Sequence, residues 1–152
     1  MSKTLFATLA LTFFLPVGCR RQERIETVAP AITLQFVDAR HDAPLLDFVL
    51  ANGSDSTLWY SGYGKSSPIY AFETQAAEGW QNQSFGWCGT GLERQALRAG
   101  ESVQFSVGFP PDPTGPFRIS VNVATERDLQ ESAAIVSAPI EPADLPPAAG
   151  QN

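Results

Sequence analysis

The chain has 152 residues, with 16 acidic and 10 basic side chains and a net charge of −6 at pH 7. This length is enough for one domain with a hydrophobic core. Nucleic-acid binding needs a dense basic face that neutralises phosphates, so the acidic composition argues against a nucleic-acid partner. It leaves binding proteins and enzymes open.

The start of the chain has the features of a secretory signal, residues 1–18. Lys3 precedes an apolar run from Leu5 to Leu15, and the small residue Gly18 comes before Cys19. The run is too short for a membrane span, which takes about 20 apolar residues, and a short apolar run after a basic residue is typical of a cleaved signal. The segment resembles a bacterial lipoprotein signal, in which Cys19 becomes the lipid-bearing first residue. The resemblance implies a lipid-anchored protein of the bacterial cell envelope, and a secreted or periplasmic soluble protein is the alternative.

Residues 19–30 are polar, charged and without period, which predicts a flexible tether between the anchor and a folded domain. The domain is expected over residues 31–138. Prolines and alanines dominate residues 139–152, so this tail is expected to be disordered.

Short runs of alternating apolar and polar residues, separated by turn residues, begin after the tether, and this pattern predicts β-strands. Residues 127–134 are compatible with one weak helical turn, and no stretch favours a long amphipathic helix. The sequence therefore predicts an all-β fold, a single immunoglobulin-like antiparallel β-sandwich of about seven short strands. The predicted strands are 32–36, 45–51, 57–61, 69–74, 103–107, 117–123 and 135–136.

Three segments carry a family resemblance. They are the strand end Phe48-x-Leu50-x-Asn52, the unit from Leu97 to Val107 and the closing strand Gly115-x-Phe117-x-Ile119. Their order and turn placement resemble small bacterial immunoglobulin-like domains, and the layout over residues 31–123 is similar to the BsuPI-type proteinase-inhibitor domain. The resemblance implies proteinase inhibition as one alternative function.

Aromatic residues are concentrated in the central third of the chain. Such rings suit sugar stacking or a protein interface, and they equally suit the core of a sandwich. Trp59 and Tyr60 are adjacent, so they are expected on opposite faces of a strand. Tyr63, Trp80 and Trp87 lie in or beside predicted loops and are the best candidates for a ligand-binding patch.

Cys88 lies among three glycines, and no second cysteine remains to pair with it if Cys19 is lipidated. A reactive thiol needs a base or a positive field, and His41 is the only imidazole of the chain. We expect a buried, inert Cys88 packed beside Trp87. A redox sensor or a thiol-dependent enzyme using Cys88 is the weaker alternative.

No metal or cofactor is expected. A single histidine cannot form a His-rich metal site. The spacing of Asp38, Asp42 and Asp47 matches no calcium loop, and these residues are expected on a solvated face. With no catalytic constellation in the sequence, we expect a non-enzymatic binding module with an envelope protein or glycan partner.

Overall fold

A computed structural model of the chain describes residues 32–40, 43–83, 86–110 and 114–145. The predicted signal, the lipidation site Cys19 and the tether lie outside these residues. So do His41, Asp42, Phe85 and the part of the predicted tail from residue 146 onward.

The described residues form nine β-strands and one short 3₁₀ helix, Pro142–Asp144. Among them, no helix is long and apolar enough to cross a membrane. The strands are β1 Ile32–Ala39, β2 Leu45–Asn52, β3 Leu58–Gly62, β4 Ala71–Ala76, β5 Gly79–Gln83, β6 Glu93–Leu97, β7 Ser102–Gly108, β8 Phe117–Ala124 and β9 Ala133–Val136.

The strands form two antiparallel sheets. One has the order β1-β2-β7, and the other has the order β5-β4-β8-β3-β6 with β9 also paired to β8. In the larger sheet, β3 and β4 both pair with β8, while β6 pairs with β3 and β5 pairs with β4. The predicted all-β fold, an antiparallel β-sandwich, is therefore confirmed.

The described residues form nine strands, two more than the seven predicted, and the two additional strands are β5 and β6. Their sequences, Gly-Trp-Gln-Asn-Gln and Glu-Arg-Gln-Ala-Leu, lack the alternation of apolar and polar residues. Leu97 is their only buried residue. These strands are held mainly by backbone pairing to β4 and β3, which a hydrophobic pattern does not report.

The core lies between the two sheets and consists of the inward-facing residues of each strand. In β8, Phe117, Ile119, Val121 and Val123 are buried, as period-two alternation requires. Phe48 stacks on Phe105 across β2 and β7, with ring centroids 6.0 Å apart. The alternate residues Ser120 and Asn122 point to the other face of the sheet, where Ser120 is 7% exposed and Asn122 is exposed.

In the larger sheet, β3 and β4 lie end to end along one line of strand, and β5 and β6 lie end to end along the next. Each of these two lines is interrupted by a loop, and the two interruptions are at neighbouring positions. Ser120 pairs with both β4 and β9, and Val123 pairs with both β3 and β9. Since a strand has only two edges, β3 and β4 share one edge of β8, and β9 takes the other. β6 and β5 in turn pair with the far edges of β3 and β4. Residues 63–70 and 86–92 are thus loop segments inserted in two adjacent lines of strand that run antiparallel to each other.

The structure moves the end of the domain beyond the predicted boundary at 138. Ile140 is buried, and its backbone exchanges hydrogen bonds of 2.7 and 3.0 Å with Phe117. The prediction of a disordered tail from residue 139 is therefore wrong for residues 139–145. The proline-rich composition of this segment did not indicate that one apolar residue, Ile140, pairs with β8 on the same edge as β9.

Two smaller predictions are also corrected. Residues 127–132, which were compatible with one weak helical turn, form a loop with turns, and Ala133 and Ala134 are the first residues of β9. Asp47 is not on a solvated face: it is 8% exposed, and its carboxylate accepts hydrogen bonds from Arg40 at 2.9 and 3.1 Å. Asp38 is exposed as expected.

Candidate functional site

A cavity of about 400 Å³ opens on the outer face of the larger sheet. Its floor is made by side chains that alternate with the core residues on adjacent strands. Ser120 and Asn122 come from β8, Ala71 and Glu73 from β4, and Ser61 from β3. The volume lies within the range of about 300–1,000 Å³ that is usual for small-molecule sites.

The remaining lining residues come from the strands at the sides and from three loops. Asn82 and Arg94 belong to β5 and β6, and Ala134 belongs to β9. Ile69 and Tyr70 come from the 63–70 loop, Trp87 from the loop before β6, and Leu129 and Ser132 from the loop before β9.

The aromatic wall of the cavity is formed by Trp87 and Tyr70. Their rings meet edge to face, with centroids 5.0 Å apart, and Trp87 Nε1 donates to the Tyr70 carbonyl at 2.9 Å. Tyr70 is half-buried, and its burial raises the pKa of its phenol. Trp87 is 37% exposed, so part of its ring surface remains open beside the polar floor.

Tyr63 supports Trp87 from behind. Its ring lies 6.1 Å from that of Trp87, and its hydroxyl donates to the Cys88 carbonyl. The two inserted loops are therefore tied together by two side-chain-to-backbone hydrogen bonds, one from each loop. Of the three residues expected to form a ligand-binding patch, Tyr63 and Trp87 lie together, next to the low-confidence candidate Cys88, and Trp87 lines the cavity.

The 63–70 loop is itself anchored to the core. Tyr60 is fully buried, and its hydroxyl donates to the Lys65 carbonyl at 2.5 Å. Burial raises the pKa of Tyr60 to about 12, so the hydroxyl keeps its proton at neutral pH. Lys65 Nζ also lies 3.1 Å from the Glu101 carboxylate in the turn before β7. These contacts fix the loop that supports the aromatic wall.

Trp80 is placed apart from this group. It lies on β5, where the guanidinium of Arg118 covers its ring at 4.3 Å from the ring centroid. Arg118 also donates to Glu73, with a shortest distance of 2.7 Å. Trp80 is outside the cavity lining, and one face of its ring is occupied by an arginine of its own chain.

Trp59 and Tyr60 point to opposite faces of β3, as predicted. Tyr60 is buried in the core, and Trp59 is half-buried on the outer face. The guanidinium of Arg127, in the loop before β9, lies 5.5 Å from the Trp59 ring centroid. This contact holds that loop over the outer face of the sheet, beside the cavity that Leu129 lines.

Leu129 has a left-handed backbone conformation, with φ of 60°. This region is unfavourable for residues with a Cβ atom and costs on the order of 1 kcal/mol. Leu129 N donates to the Glu126 carbonyl at 3.3 Å, and the next amide is bound by Asp128 Oδ1 at 3.1 Å. The loop's own hydrogen bonds thus hold a strained residue against the cavity.

Cys88 is exposed, so the expectation of a buried thiol is wrong. Hydrogen bonds from the backbone and side chain of Thr90 lower the pKa of its thiol. In the described part of the chain, no group of three or more metal-ligating side chains is present.

The polar lining residues were missed in the sequence. Ser61 follows Trp59 at strand spacing, and Ser120 and Asn122 alternate with three buried residues of β8. This alternation could have identified them as outward-facing neighbours on a sheet. Arg94 had no such signal, because β6 was not predicted.

Comparison with known proteins adds no family: no protein-family model matches the chain, and no curated protein matches it. The resemblance to BsuPI-type inhibitor domains therefore stays a prediction.

Proposed function

We propose that this protein is a non-enzymatic binding module of the bacterial cell envelope, which binds an envelope ligand in the cavity on the outer face of its larger sheet. The observation that carries the proposal is the combination of an aromatic wall, Trp87 and Tyr70, with a floor of hydroxyl and amide side chains. Apolar rings beside a few polar groups are typical of small-molecule sites.

The polar groups of the cavity support binding rather than acid–base chemistry. Glu73 is the only carboxylate among the described lining residues, and it is held by Arg118 at 2.7 Å. General acid–base catalysis needs a group placed to exchange a proton with the substrate. Because the Glu73 carboxylate is engaged in an ion pair with Arg118, it is suited to orienting that side chain rather than to exchanging a proton with a ligand.

The proposed location in the cell envelope is based on the sequence of the N-terminal segment. The proposed signal of residues 1–18 and lipidation at Cys19 would anchor the module to a membrane through its N-terminal lipid. Mass spectrometry of the mature protein tests this part separately: a first residue Cys19 carrying a diacylglycerol is expected, and an unmodified Cys19 or a different start contradicts it.

Titration with envelope glycans and peptidoglycan fragments, followed by tryptophan fluorescence, tests the binding function. Trp87→Ala should weaken binding at least tenfold, because it removes the open ring of the cavity. Trp80→Ala is the matched control, since it removes an indole that is outside the cavity and should leave affinity unchanged. Equal effects of the two substitutions, or no ligand in the panel, would contradict the proposal.

The second candidate function is a redox sensor or a thiol-dependent enzyme that uses the Cys88 thiol. The exposure of Cys88 favours it. The hydrogen bonds from Thr90 lower the thiol pKa, which raises the fraction present as thiolate. A thiol reagent should then modify the native protein at the rate of an exposed cysteine, and Cys88→Ser should abolish the reaction. A thiol that reacts only after denaturation would remove this candidate.

A further inference from the structure

The charges around the cavity are unevenly paired. Glu73 is neutralised by Arg118. Arg94 is exposed, its Nη1 donates to Ser61 Oγ, and it forms no salt bridge within the described residues. The lining therefore carries one uncompensated positive charge on a chain whose net charge is −6.

The Arg94 guanidinium lies in one row with two neutral hydrogen-bonding side chains, Ser61 and Asn122. Ser61 is directly opposite Arg94 in the register of β3 and β6. Tyr60 pairs with Val123, so the next residue along β3, Ser61, is level with Asn122 of β8. Adjacent strands are about 4.8 Å apart, so the row spaces a cation, a hydroxyl and an amide over about 10 Å, long enough to contact more than one sugar unit.

The number of cations limits the charge of the ligand. A guanidinium binds a carboxylate through two parallel hydrogen bonds. A phosphate monoester carries close to two charges at neutral pH and would be poorly neutralised by Arg94, the one arginine among the described lining residues. The cavity is therefore better matched to a carboxylate with one negative charge.

We propose that the cavity recognises a carboxylate-bearing saccharide, and this inference rests on the proposed binding function. The carboxylate lies on Arg94, hydroxyls of the sugar bond to Ser61 and Asn122, and the apolar face of the ring packs against Trp87. Neutral sugars of the same shape satisfy the aromatic and amide contacts but leave the guanidinium without its counter-charge.

Oligogalacturonate and its methyl ester test the proposal with the full-length chain. The two probes have the same ring and linkage and differ in the charge of the carboxyl group. We expect the acid to bind at least tenfold more tightly than the ester at low salt, and the difference to shrink as salt screens the ion pair. Affinity is measured by calorimetry or tryptophan fluorescence.

Substitution of the arginine locates the effect. Arg94→Gln should reduce affinity for the acid to that for the ester, and Arg94→Lys should retain part of the difference, because it keeps the charge but not the planar donors. Arg98→Gln is the matched control, since it removes an exposed charge outside the cavity lining and should leave the preference intact. An unchanged thermal midpoint shows that each variant is folded.

The outcomes separate this inference from the binding function. Equal affinity for acid and ester overturns the charge preference while the cavity remains a binding site. Equal loss in Arg94→Gln and Arg98→Gln overturns the assignment to Arg94 and indicates general electrostatic attraction. Binding of neither probe also overturns the inference, and the Trp87→Ala comparison with the wider ligand panel then decides the proposed function independently.

Discussion

Asp47 points away from the core of the sandwich, yet its side chain is buried by the residues that bond to it, Arg40 and Ser106. Arg40 donates to both of its oxygens, and the Ser106 hydroxyl donates at 2.5 Å. The hydrogen bonds from Arg40, followed by that from Ser106, lower the pKa of Asp47. The three residues link β2 and β7 to the end of β1 on the face of the smaller sheet away from the core.

Asp47→Asn should lower the free energy of unfolding by about 1–3 kcal/mol at pH 7, the usual range for hydrogen bonds to a charged group. Because the folded pKa is depressed, this contribution is complete above the ordinary Asp pKa of about 3.9 and is lost as pH falls through the folded pKa. Urea unfolding of both proteins from pH 7 downward should show the difference shrinking in acid. Asp55→Asn, an exposed control, should change little at either pH, and a gap independent of pH would contradict the assignment.

Asn52 joins the two sheets through its side-chain amide. It is 1% exposed, and its Nδ2 donates to the Ser56 and Leu97 carbonyls at 2.8 and 2.9 Å. Its Oδ1 accepts from the backbone and the hydroxyl of Ser54. The amide therefore has a partner for each donor and acceptor, in a buried position at the end of β2.

Asn52→Ala should destabilise the protein by at least about 2 kcal/mol, because several buried groups lose their partners together. The measurement is the urea midpoint at constant m-value. Asn82→Ala, on the exposed outer side of β5, is the control and should cost less than about 0.5 kcal/mol. A similar loss in both variants would show that Asn52 acts only as a turn residue.

Sequence patterns describe Asn52 and Cys88 incompletely for a physical reason. Asn-Gly-Ser predicts a turn, and the turn is there, but the bond to the Leu97 carbonyl joins residues 45 positions apart in the chain. The exposure of Cys88 likewise depends on how two inserted loops meet. Local chemistry reports turns and caps, whereas contacts between distant segments depend on the fold.

At the scale of elements, the apolar alternation of β1, β2, β7 and β8 made these strands predictable. β5 and β6 were missed because their pairing partners, rather than a hydrophobic face, define them. The same limitation of the pattern applies to the cavity: Trp87 was among the predicted candidates, whereas the position of Arg94 depends on the register of β6. Of the aromatic wall, Trp87 was among the predicted candidates and Tyr70 was not, and none of the polar lining residues was predicted.

The 63–70 loop has a tight passage at its beginning. A Cβ atom on Gly62 would lie 2.7 Å from the Ser67 carbonyl oxygen and 2.9 Å from that of Gly64. Both neighbours are backbone atoms of the same loop, so neither can move without shifting the loop. Gly62 thus sets how closely the loop folds back on β3.

Gly62→Ala should therefore lower the unfolding free energy by about 1–3 kcal/mol, the range for overpacking, and should weaken ligand binding by displacing the aromatic wall. Gly64→Ala is the control, because its added Cβ would meet nothing within 4 Å. Thermal unfolding and tryptophan fluorescence measure the two effects. A Gly62→Ala protein as stable as Gly64→Ala would show that the loop is not constrained here.

At the scale of the whole molecule, the described domain closes through its C-terminal segment. Ile140 is 3% exposed and belongs to the hydrophobic core, and it pairs with Phe117 at the start of β8. The segment after β9 thus completes the edge of the larger sheet beside residues that hold both sheets together.

Removal of residues 140–152 should cost about 2–4 kcal/mol, from the loss of one buried isoleucine and two backbone hydrogen bonds. Removal of residues 146–152 keeps every described contact and should leave stability unchanged. Chemical unfolding of the two truncated proteins measures the difference. Ile140→Ala in the intact chain should reproduce most of the stability lost on removal of residues 140–152. Equal stability of the two truncated proteins would instead show that the domain ends at residue 138, as the sequence predicted.

The paired interruptions of the larger sheet have a consequence for how this protein can change. Each inserted loop leaves a strand line and returns to it, so strands on both sides fix its stems. Length and sequence between the stems can then vary while the register on either side is kept. The loops that carry Tyr63 and Trp87 resemble, in this respect, grafting positions on a scaffold: new recognition chemistry can be introduced there by evolution or by design, with the core between the sheets left as it is.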